Sequence, residues 1–507
     1  MSRALMIQGT GSGAGKSLLV AALCRILNQK GIDVAPFKSQ NMALNSFITA
    51  EGGEIGRAQA LQAEAARLEP TVHMNPILLK AQGESGCQVI IHGRVHSSMK
   101  AQEYYAFKDS AWEAARTSFD VLSKRHEIIV IEGAGSPAEI NLMDADIVNM
   151  SVAKYAKAPV LLVGDIDKGG VFASLYGTVK LLGRDRRRIR GFIINKFRGD
   201  MEILKPGLDM IRQKTATPVV GVIPWFDRAG LPEEDGLALS RHVGAQFTAP
   251  AKAIRVVVVR LKYISNFTDF DALMHEPDVE LIFSDNRADI ENCDMVIIPG
   301  TKNTVKDLLY LREMGLDRSI KKAASKGIVV VGMCGGYQML GRKIYDPHGI
   351  ESIFAETDGL GLLDIETGFE DVKTTCQTEA VPIGTQFRNL LSVQLQDGGQ
   401  KLRGYEIHMG TSSGDIGLFR IRRLPDNGEE MLDGSMKGNC WGTYLHGIFD
   451  NDPFRRAVIN GLRATKNLPG LESGLDYAMM RDAAIDGIAS MVKDNIDMEF
   501  IDRLLKL

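Results

Sequence analysis

Proline is scarce in this 507-residue chain, at 17 residues, and aromatics make up only 7% of it, yet 45% of the residues are hydrophobic. A mainly disordered or collagen-like protein is thereby excluded, and a large core is available. No apolar run reaches the length of a membrane span, and Met1-Ser2-Arg3-Ala4-Leu5-Met6-Ile7 is too short for the apolar region of a signal peptide. The six cysteines (Cys24, Cys87, Cys293, Cys334, Cys376, Cys440) lie far apart, with no CxxC pair, no zinc-ligand spacing and no disulfide framework. A soluble protein of a reducing cytoplasm is expected, with no membrane partner. An excess of one charge is missing too. Sixty Lys plus Arg against 63 Asp plus Glu leave a formal charge of −3, so no global field draws the chain to nucleic acid. An anionic ligand must find local basic groups. The densest basic run, Arg184, Arg186, Arg187, Arg188 and Arg190, reads as a solvated helix end.

What is present is a rhythm. The length suggests roughly two to four domains. Short apolar runs at Leu5 to Ile7, Glu127 to Ile131, Pro159 to Val163, Gly191 to Ile194 and Val219 to Ile223 alternate with helix-like stretches such as Ser17 to Lys30 and Gly56 to Arg67. This predicts βαβ units around a parallel sheet over residues 1–235. Residues 236–252 read as a linker. A second α/β series over 253–455 takes in Ile254 to Leu261, Met295 to Ile298, Ile328 to Val331 and Gly442 to Leu445, with a hairpin turn at Asp397-Gly398-Gly399 after Leu391 to Leu395. Residues 456–507 form a C-terminal helical segment, with Ile485, Ile488, Val492, Ile496, Phe500 and Leu504 on one apolar face.

The first chemical feature is Gly9-Thr10-Gly11-Ser12-Gly13-Ala14-Gly15-Lys16-Ser17, between a short strand and a helix. Backbone N–H groups of Thr10, Gly11, Gly13 and Gly15 in such a turn cradle phosphates, Lys16 reaches the β and γ phosphates, and the Ser17 hydroxyl binds Mg²⁺. The pattern is a variant, because Thr10 stands where a strict phosphate loop has Gly. Glu132, ending the strand Ile128 to Ile131, is the second metal ligand expected, with Asp165 and Asp167 weaker alternatives. Asn195, ending Phe192 to Ile194, could read a base edge. ATP and Mg²⁺ are the cofactors.

The second feature is Gly332-Met333-Cys334-Gly335-Gly336, after a strand and before a helix-like stretch. It is the thiol counterpart of the strand-turn-helix nucleophile elbow, in which small neighbours permit a strained turn. The other five cysteines read as packing residues. His446 is the preferred base, and His408 is its competitor near the substrate or in a structural role. The backbone N–H groups of Gly300 and Gly335 are the expected oxyanion hole.

A thiolate that hydrolyses an amide releases ammonia, and a phosphoryl-transfer site activates a carboxylate as an acyl phosphate. Their sum is ATP- and glutamine-dependent amidation. Here a resemblance covers nearly the whole chain. Gln8-Gly9-Thr10, the string from Pro36 to Ser46, His73 to Lys80, Glu132 to Glu139, Gly164 to Gly170, Met333 to Gln338, Tyr405 to Gly410 and His446-Gly447 resemble the cobyric acid synthase family. The resemblance implies a dethiobiotin-synthetase-like phosphate-loop domain followed by a class I glutamine amidotransferase domain. It implies amidation of the b, d, e and g carboxylates of adenosylcobyrinic acid a,c-diamide to adenosylcobyric acid, with Cys334 as nucleophile, His446 as base and Lys38 near the transferring phosphoryl group. The partners implied are glutamine, ATP and a corrinoid polycarboxylate; a homo-oligomer is compatible with the sequence. Many glutaminases of the class carry a Glu two residues after the histidine, where this chain has Ile448, so the orienter is unassigned and Glu406 is the trial choice. In the helix Gly56 to Arg67 only Glu64 offers a carboxylate to the metal. Two alternatives stand: the sister amidase that makes the a,c-diamide, and a ParA-like ATPase switch with an inert glutaminase domain.

Overall fold

In a computed structural model, residues 3–82, 86–226, 230–231, 254–383, 401–425, 429–472 and 474–507 are described. They belong to two compact units. Unit 1 holds Met1–Ala43, Gly53–Leu231 and Arg481–Leu507, and unit 2 holds Leu44–Gly52 and Pro232–Met480. The expected linker 236–252 and the turn at Asp397 to Gly399 lie outside the described residues.

Unit 1 is built on six parallel strands: β1 (Arg3–Gly9), β2 (Val34–Phe37), β3 (Ile128–Glu132), β4 (Val160–Asp165), β5 (Ile189–Phe197) and β6 (Val219–Pro224). Their order is β6-β5-β4-β1-β3-β2. Both faces of a parallel sheet are covered, so the strands read as continuous apolar runs. Alternate residues of β1 go to opposite layers: Leu5 and Ile7 pack with helix α1 (Lys16–Gln29), Ala4 and Met6 with the other core. The chain turns back at β1, which lies between β3 and β4, so the loop after β1 opens where a crevice forms at the carboxyl ends of the strands.

Unit 2 carries a second sheet of β7 (Ile254–Val259), β8 (Val279–Ser284), β9 (Met295–Ile298), β10 (Val329–Met333), β14 (Ser435–Lys437) and β15 (Cys440–Thr443), in the order β8-β7-β9-β10-β15-β14. Only the β14/β15 pair is antiparallel. The edge strands β8 and β14 escape the apolar-run criterion because an edge buries less. An antiparallel sheet also includes β11 (Ile365–Pro382), β12 (Leu402–Gly414) and β13 (Phe419–Leu424). The strand containing Tyr405 is β12, and it pairs with β11.

The segments differ from those expected in two places. Residues 456–507 do not act as one piece: the helix Asp452–Thr465 belongs to unit 2, whereas Arg481–Leu507 belongs to unit 1 and buries Ile485, Ile488, Val492 and Ile496 against α1 and β1. Asp497 then caps a new helix by accepting from the Phe500 N–H, which shifts the apolar face by one position. Ile501 and Leu505 are fully buried, and Phe500 and Leu504 only partly. Leu44–Gly52, expected in the first domain, belongs to unit 2, where Ile48 is buried with Tyr405 and Ile407. The arginine run 184–190 forms a short 3-10 turn and strand start with mostly exposed side chains.

Candidate functional site

The cradle in unit 1 begins where β1 ends. Gly13 and Gly15 have φ of +72° and +94°, which glycine adopts without strain. A Cβ on Gly15 would lie 2.1 Å from the Asn195 amide nitrogen, so the close approach needs glycine as well. Lys16 Nζ donates to the carbonyls of Gly11 (3.0 Å) and Gly135 (3.3 Å), curling the loop over the start of α1. The Thr10 N–H donates to Val163 of β4. Lys196 Nζ donates to the Gly13 carbonyl (2.7 Å) and pairs with Asp165 (2.6 Å), and Lys168 Nζ reaches the Ser12 carbonyl at 3.4 Å.

Glu132, 1% exposed at the end of β3, is the hub. Its Oε1 accepts from Ser17 Oγ and from Lys38 Nζ, each at 2.8 Å; its Oε2 accepts from Gln62 at 2.5 Å and Gln59 at 3.3 Å. Both glutamines come from helix α2 (Arg57–Ala65), where the sequence offers Glu64 as its carboxylate. Glu64 instead pairs with Arg481 at 2.8 Å, since it points off the opposite side of α2. A buried carboxylate needs such donors, and these four meet the need. Asn195, expected to read a base edge, donates from Nδ2 to the Ala14 carbonyl at 2.8 Å and braces the cradle. Asp165 is held by Lys196, and Asp167 lies 4.0 Å from Arg198.

The elbow in unit 2 sits between β10 and helix α3 (Gly335–Leu340). Cys334 has φ +50° and ψ −108°, a conformation that is strained for any side chain, and it is 8% exposed. Small neighbours permit it: a Cβ on Gly336 would lie 1.9 Å from the Ile298 carbonyl, and one on Gly332 2.7 Å from the Gly336 carbonyl. Burial pushes the thiols of Cys24, Cys293, Cys376 and Cys440 up, the last to about 11, as befits packing residues; Cys87 is half-buried and also raised.

His446 follows β15 and is locked to Tyr405 of β12 by two backbone hydrogen bonds (2.8 and 3.1 Å), with the rings stacked 5.1 Å apart. Its Nδ1 meets Asp269 Oδ2 at 2.6 Å, and the other Asp269 oxygen accepts from the Gly447 N–H at 3.1 Å. Nε2 is buried and has no hydrogen-bond partner among the described residues. The Cys334 thiol lies beside it and donates to the Ile407 carbonyl at 3.4 Å. Burial by itself would lower the His446 pKa; Asp269, and after it Cys334, outweigh burial and push it up to about 10. Gly300 and Gly335 flank the pair: a Cβ on Gly300 would lie 3.2 Å from His446 Cε1 and 3.7 Å from Cys334 Cβ, and one on Gly335 3.3 Å from the Thr301 nitrogen.

Glu406 is not the orienter. It faces away from His446, binds Arg423 through both oxygens (2.7 and 2.9 Å) and meets His408 at 3.2 Å. Burial would raise its pKa, but Arg423 and His408 hold it well below the usual carboxylate range. His408 also stacks on Tyr444 at 3.8 Å, which gives it a structural setting. Asp269 lies 177 residues from His446 in the chain, so no local motif joins the two. The available signal was an acid in the loop after β7, at the carboxyl end of the first strand of the second series.

Two family models match the chain: the CobQ/CobB/MinD/ParA nucleotide binding domain over residues 5–238, and the CobB/CobQ-like glutamine amidotransferase domain over residues 255–454. Among curated relatives, the cobyric acid synthase of Thermodesulfovibrio yellowstonii is 47% identical over 500 residues, covering 98% of both chains. That of Syntrophobacter fumaroxidans is 48% identical over 515 residues, covering 100% of this chain and 99% of its own. That of Caldanaerobacter subterraneus subsp. tengcongensis is 49% identical over 514 residues, with the same coverage. A solved glutamine amidotransferase aligns with 41% of this chain and 98% of its own, at 19% identity and a TM-score of 0.31. Among the described residues no helix is long and apolar enough to cross a membrane.

Proposed function

The chain belongs to the cobyric acid synthase family, glutamine-dependent amidating enzymes of cobalamin biosynthesis, and from that premise we propose how its two sites divide the reaction. In unit 2, Cys334 attacks the glutamine side-chain amide. His446 Nε2, buried beside the thiol, takes its proton and returns it to the leaving ammonia; water then releases glutamate from the thioester. Asp269 holds the imidazole by Nδ1 and stabilises its charged form, as the acid of a catalytic triad does. Gly300 and Gly335 supply the oxyanion hole.

In unit 1, the turn from Thr10 to Gly15 receives the phosphates of ATP, and Lys16 exchanges its two carbonyl partners for phosphate oxygens. The γ-phosphoryl passes to a corrinoid carboxylate, giving ADP and an acyl phosphate. Ammonia displaces phosphate from it to leave the amide. Lys38, buried against Glu132, is placed to neutralise the transferring group. The Ser17 hydroxyl and the Glu132 carboxylate are hard oxygen donors 2.8 Å apart, the pair that would hold Mg²⁺. When bound, that ion offsets the phosphate charge.

The observation that carries this reading is the Asp269, His446 and Cys334 array in a chain whose other unit holds the Lys16 cradle. The substrate is adenosylcobyrinic acid a,c-diamide, amidated at b, d, e and g. Purified protein given this diamide or un-amidated cobyrinic acid, with ATP and glutamine, tests it by mass spectrometry, since each carboxylate-to-amide step is countable. Turnover of cobyrinic acid alone would assign the chain to the earlier amidation.

A further inference from the structure

The string from Pro36 to Ser46 serves both units. Lys38 and Asn41 belong to unit 1, where Lys38 meets Glu132 and Asn41 Nδ2 donates to Gln59 at 2.9 Å. Asn45 and Ser46 belong to unit 2, and their partners there are the residues that lead to Asp269.

Asp269 stands on the 3-10 turn Phe267–Phe270, only four residues long. A turn of this length does not hold itself, because its first N–H groups have no partner within the turn. Asn266, just before it, is in the left-handed region at φ +53°, which fixes the direction of entry. Both weak points are tied by one neighbouring segment. The Phe267 N–H donates to Asn45 Oδ1 at 3.2 Å, and the Ser46 N–H donates to Asn266 Oδ1 at 2.9 Å. All four residues are buried, and Asn45 and Ser46 are at most 1% exposed. The segment is anchored further along by Thr375 Oγ1 and Gln377, which donate to the carbonyls of Gly52 and Ile48. Asn45 Nδ2 is buried with no partner among the described residues. An unsatisfied amide group is unfavourable in a core, so packing alone does not account for asparagine here, and its acceptor oxygen does.

We propose that Asn45 is a positioning residue of the glutaminase: with Asn266 it clamps the turn that presents Asp269 to His446. The proposal rests on the assignment of Asp269 as the orienting acid. Asn45→Ala removes one bond of the clamp. Asn266→Gly removes the other while keeping a residue that accepts positive φ. In the full chain each variant lowers kcat of glutamine-driven amidation by about tenfold, the factor expected for one lost hydrogen bond in the transition state. KM for glutamine stays within about twofold, because no group that touches glutamine is removed. Ammonia-driven amidation stays at the wild-type rate, which also shows that each variant is folded. The double variant falls no further than the worse single one, because both bonds hold the same turn. An unchanged glutamine-driven kcat in Asn45→Ala, a parallel loss of ammonia-driven activity, or multiplying effects in the double variant each overturn the proposal. Asp269→Asn separates the two readings. If it retains wild-type glutamine use, the orienter assignment fails and the clamp with it; if it loses glutamine use while the clamp variants do not, only the clamp fails.

Discussion

The two sites are held together by opposite means. In the unit 1 cradle the cations are tied up internally: Lys16 on two loop carbonyls, Lys196 on Gly13 and Asp165, and Lys38 on Glu132. In the proposed reaction, phosphate oxygens replace these carbonyls as the acceptors for Lys16. In the unit 2 elbow the arrangement rests on the backbone strain at Cys334 and on the His446 bond to Asp269. The difference follows from the chemistry. A cluster of several cations repels itself unless carbonyls and carboxylates meet each one, whereas in the elbow the charge favoured on the imidazole is met by the carboxylate of Asp269.

The comparison breaks most sharply at the nucleophile and the cradle lysine. Cys334→Ala is expected to lower glutamine-driven amidation by at least about 10⁴-fold and to leave activity with added ammonia. Lys16→Ala stops amidation from both nitrogen sources. Parallel rate assays with glutamine and with ammonium check both, and ammonia-driven synthesis surviving in Lys16→Ala would remove the cradle from the mechanism. Asp269→Asn comes next, with glutamine-driven kcat down by about 10³-fold or more from loss of the imidazole's orientation. A fall in the ammonia-driven rate of that variant would contradict the division of labour.

Two glycines sharpen the contrast at smaller cost. Gly336→Ala brings a methyl group to 1.9 Å from the Ile298 carbonyl, and Gly15→Ala meets Asn195 from a positive φ. Each should destabilise by about 1 to 3 kcal/mol. The first loses glutamine use, and the second loses ATP-dependent synthesis from either nitrogen source; denaturation midpoints together with the paired assays distinguish them. The smallest effect is in pH. The His446 pKa rises from its ordinary 6.5 to about 10, so the charged imidazole favours the folded state. That stabilisation is complete below about 6.5 and is lost as pH rises toward 10. Denaturation of wild type and Asp269→Asn between these limits should show a shallower pH dependence in the variant.

The parts legible in the sequence are those that neighbours in the chain build. The cradle from Gly9 to Ser17 and the elbow from Gly332 to Gly336 declare themselves because a tight turn restricts residue type locally. Glu132 was legible as an acid at a strand end. The parts that were not legible depend on long-range partners. Asn195 braces the cradle through the Ala14 carbonyl, Glu406 binds Arg423 and not His446, and Gln59 and Gln62 stand where a carboxylate was expected. The apolar periodicity at the C-terminus matches the buried face as far as Ile496 and departs from it by one residue where the Asp497 cap restarts the helix.

By itself, then, the sequence determined the two α/β units, the strand-turn-helix elbow at Cys334 and the glycine-rich turn before Lys16, because strand and helix periodicity and turn chemistry act over a few residues. Only the tertiary structure decided that Asp269 meets the His446 ring, that Glu132 gathers four donors, and that residues 44–52 and 481–507 belong to units other than those their positions in the chain suggest. A buried polar group takes whichever partner the fold brings within 3 Å, and sequence separation has no bearing on that distance.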